Sequence, residues 1–273
     1  MLHNDIQSLA QELMSALEMG QMISALPSSR PGFDLNAAYA VEAALKQSRE
    51  STGHRAVGRK VGYANKAVWR LLKLETLVWA HMYDDTVHHV DSNQATLPLS
   101  RTRSLKIEPE IVFGLKEPVA SGSLDAAAAL ECTDWLALGF EIIDCPYAEW
   151  KFQPSDFVAS FGLHAALVVG QKTHLRPESI AKLADELPRF TVRMFKNGDF
   201  VEEGSGKNSL RSPALCLAEL AGAITRRFPD QPLRAGEIIS SGTLTAGHAT
   251  EKGDRWTAEV QGLALPPLTL HLA

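Results

Sequence analysis

The spacing of the hydrophobic positions changes along the chain and divides it into two portions. Apolar residues recur at the spacing of one helical face from Ile6 to Leu17, which predicts an N-terminal helix. A second helix is expected over residues 36–48 and a short strand over residues 56–63. We therefore predict an N-terminal helical portion with a short strand that occupies residues 1–95.

The rest of the chain, residues 96–273, is predicted to form a β-rich core. Apolar residues stand at alternate positions over residues 107–115, and Asn197-Gly198 suits the two-residue turn of a hairpin. A helix is expected to open at Ser212-Pro213, because proline is favoured at the first helical position. Further strands are predicted over residues 138–144, 165–169, 191–196, 200–203, 237–243, 256–260 and 268–272. The fold class is therefore α+β.

Composition and charge exclude several classes of protein. The 273 residues carry a net charge of −5 without a basic stripe, so we expect no nucleic-acid partner. No apolar run approaches the ~20 residues of a membrane helix, and the first residues lack the pattern of a signal peptide. The 3 cysteines form no Cys-x-x-Cys motif and are typical of reduced thiols, so a cytoplasmic location is expected.

The candidate chemistry lies in acidic residues inside apolar strands. Glu108 and Glu110 are two residues apart, which places both side chains on one face of the predicted strand. Glu141 is a lone acid in the next predicted strand, and pairing of the two strands would bring the three carboxylates together. An oxygen-only set suits Mg²⁺, Mn²⁺ or Ca²⁺. A solvated face of an antiparallel sheet explains the same pattern, and the spacing alone leaves both alternatives open.

Four segments in this order resemble the 2-keto-4-pentenoate hydratase / 4-oxalocrotonate decarboxylase family, within the fumarylacetoacetate hydrolase superfamily. The segments are Gly58-Arg-Lys-Val-Gly62, Lys106-Ile-Glu-Pro-Glu-Ile-Val-Phe113, Phe140-Glu-Ile-Ile-Asp144 and Leu233-Arg-Ala-Gly-Glu-Ile-Ile-Ser-Ser-Gly-Thr243. The resemblance implies a mixed β-sandwich roll, like the fumarylacetoacetate hydrolase C-terminal domain, behind the N-terminal helical portion. It also implies a homo-oligomer, a catalytic core in residues 96–273, and Mg²⁺ or Mn²⁺ held by Glu108, Glu110 and Glu141.

The resemblance also implies roles toward a small 2-oxo acid or dienol acid. Lys60 matches the family lysine and is expected to donate or accept a proton, and Thr243 is expected to bind the substrate carboxylate. Two positions depart from the family pattern. Val78 stands where the hydratases have an acid, and Phe161 stands where both branches have an amide. These substitutions make the substrate-selecting part of the pocket drier.

The family resemblance leads to a divalent-metal-dependent lyase, most simply a 2-keto-4-pentenoate (2-hydroxypenta-2,4-dienoate) hydratase. The first alternative is a 2-oxohex-3-enedioate (4-oxalocrotonate) decarboxylase, which Val78 favours because decarboxylation needs no incoming water. The second is an acylpyruvate C–C hydrolase, although the N-terminal region lacks a His–Glu pair in a comparable segment. The third is an inactive metal-binding subunit that partners an active homologue.

Overall fold

The computed structural model describes residues 3–119 and 125–273, and within these ranges the fold is α+β, as predicted. The helices are α1 (His3–Met19), α2 (Leu35–Ser51), α3 (Trp69–Leu72), α4 (Ala126–Glu131), α5 (Pro154–Ala159), α6 (Ile180–Glu186) and α7 (Pro213–Arg227). The first strands are β1 (Ala56–Gly62), β2 (Val78–Tyr83), β3 (Val87–His89), β4 (Gln94–Leu97), β5 (Leu105–Leu115), β6 (Thr133–Asp144) and β7 (His164–Val169). They are followed by β8 (Thr173–His174), β9 (Thr191–Lys196), β10 (Asp199–Ser205), β11 (Ile238–Ser240), β12 (His248–Ala249), β13 (Arg255–Gln261) and β14 (Leu268–Leu272).

The main sheet curls until its two edges meet. Among the described residues it has nine strands, in the order β2-β1-β11-β5-β6-β7-β3, with β12 on β5 and β8 on β6. The outermost strands of that order, β2 and β3, are separated in sequence by only the turn at residues 84–86. A flat sheet would hold these strands far apart, since neighbouring strands are about 4.8 Å apart. The curl therefore produces an inner face, and it agrees with the predicted roll.

A second sheet packs beside the roll. Over the described residues its five strands follow the order β10-β9-β13-β14-β4. The predicted hairpin joins β9 to β10, and Asn197 and Gly198 both have positive φ, as a type I′ turn requires. The predicted helix at Pro213 is confirmed as α7, whose apolar residues are buried in the main core.

The N-terminal portion contributes more strands than the one that was predicted. The α2 helix begins at Leu35, and the Asp34 carboxylate caps it by accepting a hydrogen bond from the Ala37 backbone N–H at 2.9 Å. However, β1, β2 and β3 all belong to the main sheet, and the boundary expected between residues 95 and 96 falls inside β4. Every residue of β2 is buried, so the strand lacks the alternating pattern that marks a half-exposed strand in a sequence.

Candidate metal centre and active site

The three predicted carboxylates meet on the inner face of the roll. Strands β5 and β6 pair antiparallel with Glu108 directly opposite Glu141, and Glu110 lies two residues further along the same face. One carboxylate oxygen from each glutamate lies within 4.8 Å of the others. Glu110 and Glu141 are fully buried, whereas Glu108 is half-buried. A solvated sheet face is therefore the wrong explanation of this pattern.

The end of β11 and the residues that follow it hold one oxygen of Glu110 and leave the other free. Oε2 of Glu110 accepts hydrogen bonds from the Ser240 hydroxyl at 2.5 Å and from the Gly242 backbone N–H at 2.8 Å. Gly242 has a φ of +90°, and a Cβ there would lie 2.7 Å from the Cβ of Ala64, so the position requires glycine. Within the described residues, Oε1 of Glu110 is buried without a hydrogen-bond partner.

Lys60 reaches the carboxylates from β1 and is almost completely buried. Its Nζ lies 3.0 Å from Oε2 of Glu141 and donates a hydrogen bond to the Gly162 carbonyl at 3.0 Å. The same Nζ lies 4.9 Å from the centre of the Phe157 ring. A Cβ on Gly162 would lie 2.7 Å from Cδ of Lys60, so the small residue makes room for the lysine. The ammonium is thus fixed beside the carboxylates.

His164 completes the cluster, and reasoning from the sequence missed this role. Its Nδ1 lies 2.8 Å from Oε1 of Glu141, and its Nε2 lies 3.0 Å from the Thr86 hydroxyl. The ring therefore links Glu141 to the turn between β2 and β3. A single histidine at the start of a strand carries no signal for this contact, because a register shift in the β6–β7 pairing decides which side chains meet. Ser240 was missed in the same way.

The charges in the cluster shift the pKa values of the buried groups in different directions. Burial raises the pKa of Glu108 to about 7, although Lys60 opposes the shift. Burial, together with the charges of Glu141 and Glu108, also raises the pKa of Glu110 well above its ordinary value. Burial alone would raise the pKa of Glu141, but Lys60 and His164 outweigh it and lower the pKa. With all three carboxylates ionised, the cluster would hold more negative charge than one lysine balances.

Lys60 itself stays charged despite its burial. Burial lowers the pKa of its ammonium, but the charges of Glu141, Glu108 and Glu110 outweigh this effect and raise the pKa above its ordinary value. Lys60 is therefore a proton-bearing group at neutral pH.

The three residues predicted to contact substrate lie in different surroundings. Val78 is buried and pairs with Gly62 of β1, so its side chain lies on the same face of the sheet as Lys60. Val78 and Phe157 both lie next to Gly62. The Thr243 hydroxyl donates a hydrogen bond to the Thr245 carbonyl at 3.0 Å within its own turn. The roles of Val78 and Thr243 in substrate binding stay predictions.

Phe161 lines a separate cavity wall, and its role in substrate binding also stays a prediction. Its ring packs edge-on against Tyr83, with the ring centres 6.3 Å apart. It also lines a cavity of about 290 Å³ whose wall includes His164 and Thr86. Among the described residues that form this wall there is no carboxylate of the cluster and no Lys60. Phe161 shares this wall with His164 and directly precedes Gly162, whose carbonyl accepts the hydrogen bond from Lys60.

The donor set fits a hard divalent cation. All three candidate ligands are carboxylates, which suits Mg²⁺ or Mn²⁺ and not Zn²⁺. The buried Oε1 of Glu110 needs a partner, because a carboxylate oxygen removed from water without one is strongly destabilising. Ser240, Gly242, His164 and Lys60 hold the other oxygens of Glu110 and Glu141 in place.

The chain belongs to the fumarylacetoacetate (FAA) hydrolase family, whose C-terminal domain model matches residues 54–266. Within that family it is 28% identical to a 2-hydroxyhexa-2,4-dienoate hydratase of Comamonas testosteroni, over 94% of either chain. It is also 28% identical to a 4-oxalocrotonate decarboxylase of Pseudomonas sp. strain CF600, over 95% of this chain and 94% of the relative. These findings confirm the resemblance seen in the four sequence segments.

The fold is likewise that of a solved member of this family. A 4-oxalocrotonate decarboxylase from Pseudomonas putida G7, complexed with magnesium and adipate, superposes with a TM-score of 0.88. The two chains are 24% identical, and the match covers 100% of this chain and 99% of the other. The predicted fumarylacetoacetate hydrolase-like roll with N-terminal helices is thereby confirmed.

Proposed function

We propose that this protein is a divalent-metal-dependent lyase of the hydratase type that acts on an enolisable 2-oxo acid such as 2-hydroxypenta-2,4-dienoate. The observation that carries the proposal is the convergence of Glu108, Glu110 and Glu141 beside the buried, charged Lys60. Three ionised carboxylates without a cation would repel one another strongly. A buried lysine whose Nζ lies 3.0 Å from Oε2 of Glu141 is likewise unusual for a purely structural residue.

Each group of the cluster has a chemical task in this proposal. Glu108, Glu110 and Glu141 would hold Mg²⁺ or Mn²⁺, which when bound supplies a Lewis acid for the oxygens of a 2-oxo acid. Lys60 holds a proton on Nζ and presents it to the negative oxygens of the substrate. His164 holds Oε1 of Glu141 in place, so that Oε2 of Glu141 stays directed toward Lys60. Thr243 is expected to contribute to binding the substrate carboxylate.

A decarboxylase that acts on 2-oxohex-3-enedioate is the second candidate, and the apolar wall beside Lys60 favours it. Val78 and Phe157 form this wall, and neither can hydrogen-bond an incoming water. Loss of a remote carboxylate as CO₂ needs no such water. The relatives named above include both a hydratase and a decarboxylase at the same identity, so the choice of hydratase over decarboxylase rests on the larger number of hydratases among the most similar curated relatives.

The structure offers no support for the acylpyruvate hydrolase alternative. A buried Glu–His pair does exist, since Glu42 of α2 contacts His81 of β2 at 2.5 Å. However, His81 and Ala80 are neighbours in β2, and Ala80 is the register partner of Lys60. The side chains of successive residues point to opposite faces of a strand, so this pair lies on the other face from the carboxylates.

The test compares two substrates in parallel. Protein with Mg²⁺ is incubated with 2-hydroxypenta-2,4-dienoate and, separately, with 2-hydroxymuconate, which equilibrates with 2-oxohex-3-enedioate, and both are followed by proton NMR. Addition of water across the alkene of the first supports the hydratase, and appearance of the five-carbon dienoate from the second supports the decarboxylase. Excess chelator should abolish either reaction. Turnover of neither substrate would reject both and favour an inactive partner subunit.

Two further expectations belong to this proposal. As a homo-oligomer, the protein should elute above the mass of one chain in light scattering coupled to gel filtration. A cytoplasmic location stays a prediction from the sequence. In the described residues no helix is long and apolar enough to cross a membrane.

A further inference from the structure

A second polar cluster lies on the face of β1 and β2 opposite to Lys60. Arg59 and His81 are register partners on the two strands, and only 8% and 6% of their surfaces are exposed. Among the described residues, Nε of Arg59 and Nε2 of His81 are buried without a hydrogen-bond partner. A buried N–H of a guanidinium without a partner is destabilising, so the pair of atoms points to a ligand.

Both side chains open into the same cleft. Two adjoining cavities of about 640 and 210 Å³ share Arg59 and His81 in their walls, together with Lys46, Glu50 and Gln231. The larger cavity also reaches Arg234, which is exposed at its mouth. The cleft is large enough for a small organic acid or a phosphate ion.

The charges around the cleft favour an anion. The acids are each paired with a basic side chain, with Arg59 at 2.7 Å from Glu237, His81 at 2.5 Å from Glu42, and Lys46 at 2.7 Å from Glu50. Arg234 donates only its backbone N–H to Glu237, and its guanidinium forms no ion pair within the described part of the chain. The mouth of the cleft therefore carries positive charge that its own acids do not balance.

We propose that this cleft binds a small oxyanion, either an organic carboxylate or inorganic phosphate. One oxygen accepts a hydrogen bond from Nε of Arg59, another accepts one from Nε2 of His81 when both ring nitrogens carry protons, and Arg234 lies at the mouth over the anion. Guanidinium groups suit this task because they bind carboxylate and phosphate with several N–H groups in one plane. The site is separate from the proposed lyase site and does not rest on the proposed function.

The test uses calorimetry on protein from which metal has been removed, with no chelator in the buffer. Inorganic phosphate and succinate are titrated in turn at constant ionic strength, with sodium chloride as the reference anion. We expect saturable binding of one of them at one site per chain. The anion that binds more tightly shows whether the site takes a phosphate or a carboxylate. Addition of Mg²⁺ should leave the affinity for that anion unchanged.

Variants locate the site. Arg59→Lys keeps the charge but removes the Nε–H, and we expect at least tenfold weaker binding. Arg234→Gln should weaken binding about threefold through the lost charge, whereas Arg189→Gln, an exposed arginine outside the cleft, should not.

Three outcomes would overturn the proposal. The first is that neither phosphate nor succinate binds saturably when compared with chloride. The second is that Arg59→Lys binds the anion as tightly as the wild type. The third is that Arg234→Gln and Arg189→Gln bind it equally tightly. The last comparison decides the matter on its own if Arg59→Lys does not fold.

Discussion

Arg59 and Lys60 are neighbours in β1, yet their side chains enter two buried clusters that differ in charge balance. On the Arg59 face, Glu237 and Glu42 each have one basic partner, Arg59 and His81. On the Lys60 face, three carboxylates share one ammonium. If all are ionised, two negative charges remain there, which is the charge that a divalent cation neutralises.

The pKa values record the same difference. Burial alone would raise the pKa of Glu42, but its His81 partner and Arg59 lower it below the ordinary value. Burial, together with the charges of Glu141 and Glu108, raises the pKa of Glu110 well above its ordinary value. Burial therefore does not distinguish an ion pair from a set of metal ligands. The ratio of acidic to basic side chains around the buried group distinguishes the two kinds of site.

The largest expected effect comes from removing one charge on the Lys60 face. Glu110→Gln should weaken Mg²⁺ binding by more than the about 10–100-fold that loss of an outer hydrogen-bond partner costs, because the free Oε1 is itself a ligand. Isothermal calorimetry measures the affinity. Glu117→Gln, an exposed position shortly after β5, is the matched control and should bind Mg²⁺ normally. An unchanged affinity in Glu110→Gln would refute the ligand assignment.

A glutamate-to-glutamine substitution on the Arg59 face should change the free energy of unfolding and not Mg²⁺ binding. Glu42→Gln leaves His81 without its charged partner and should lower the free energy of unfolding by about 2 kcal/mol. Urea denaturation of the metal-free protein measures this difference. Glu50→Gln, which breaks an exposed pair with Lys46 in the same helix, should cost less than about 0.5 kcal/mol. A loss of Mg²⁺ affinity in Glu42→Gln comparable to that in Glu110→Gln would contradict the separation of the two faces.

The pH dependence sharpens this second prediction. The pKa of Glu42 in the folded protein lies below its ordinary value of 4.5, so its contribution to stability is complete above pH 4.5. The contribution is lost as the pH falls through the folded pKa. The difference in unfolding midpoint between wild type and Glu42→Gln should be constant from pH 7 to pH 5 and should shrink only at lower pH. A difference that shrinks between pH 7 and pH 5 would assign the effect to another group.

The two faces also differ in how far the sequence could predict them. Glu108, Glu110 and Glu141 interrupt apolar strands, but this local signal left a solvated face open, and the family resemblance of the four segments was needed to predict the cluster. Glu42 and His81 are 39 residues apart and lie in a helix and a strand, so only the packing of α2 on β2 brings them together. His164 likewise depends on strand register. Local pattern predicts strands and lone acids, whereas partners across elements depend on tertiary packing.

His164 tests whether the Lys60 face depends on an outer hydrogen bond. His164→Ala should weaken Mg²⁺ binding about tenfold, since Oε1 of Glu141 loses the donor that orients it. His164→Asn keeps a side-chain nitrogen near the position of Nδ1 and should recover most of the affinity. Calorimetry on both variants separates this positioning role from general loss of packing. Equal weakening in the two variants would assign His164 a structural role only.

The smallest expected effect concerns the choice of reaction, at the apolar wall of the Lys60 face. Val78→Asp places a carboxylate beside Lys60, and one added hydrogen bond to water, worth about 1 kcal/mol, would raise hydratase activity about fivefold. Val78→Ala, which stays apolar, is the control. Phe161→Asn should add little, because the Phe161 ring packs against Tyr83 and lines a cavity whose described wall contains none of the three glutamates.

The double variant tests which of the two apolar positions selects the reaction. If Val78→Asp with Phe161→Asn is no better a hydratase than wild type, while its thermal midpoint shows that it is folded, these positions do not select the reaction. If the gain appears with Val78→Asp alone, Val78 is the position that separates the two reactions. A gain that requires both changes would mean that Phe161 takes part in selecting the reaction together with Val78.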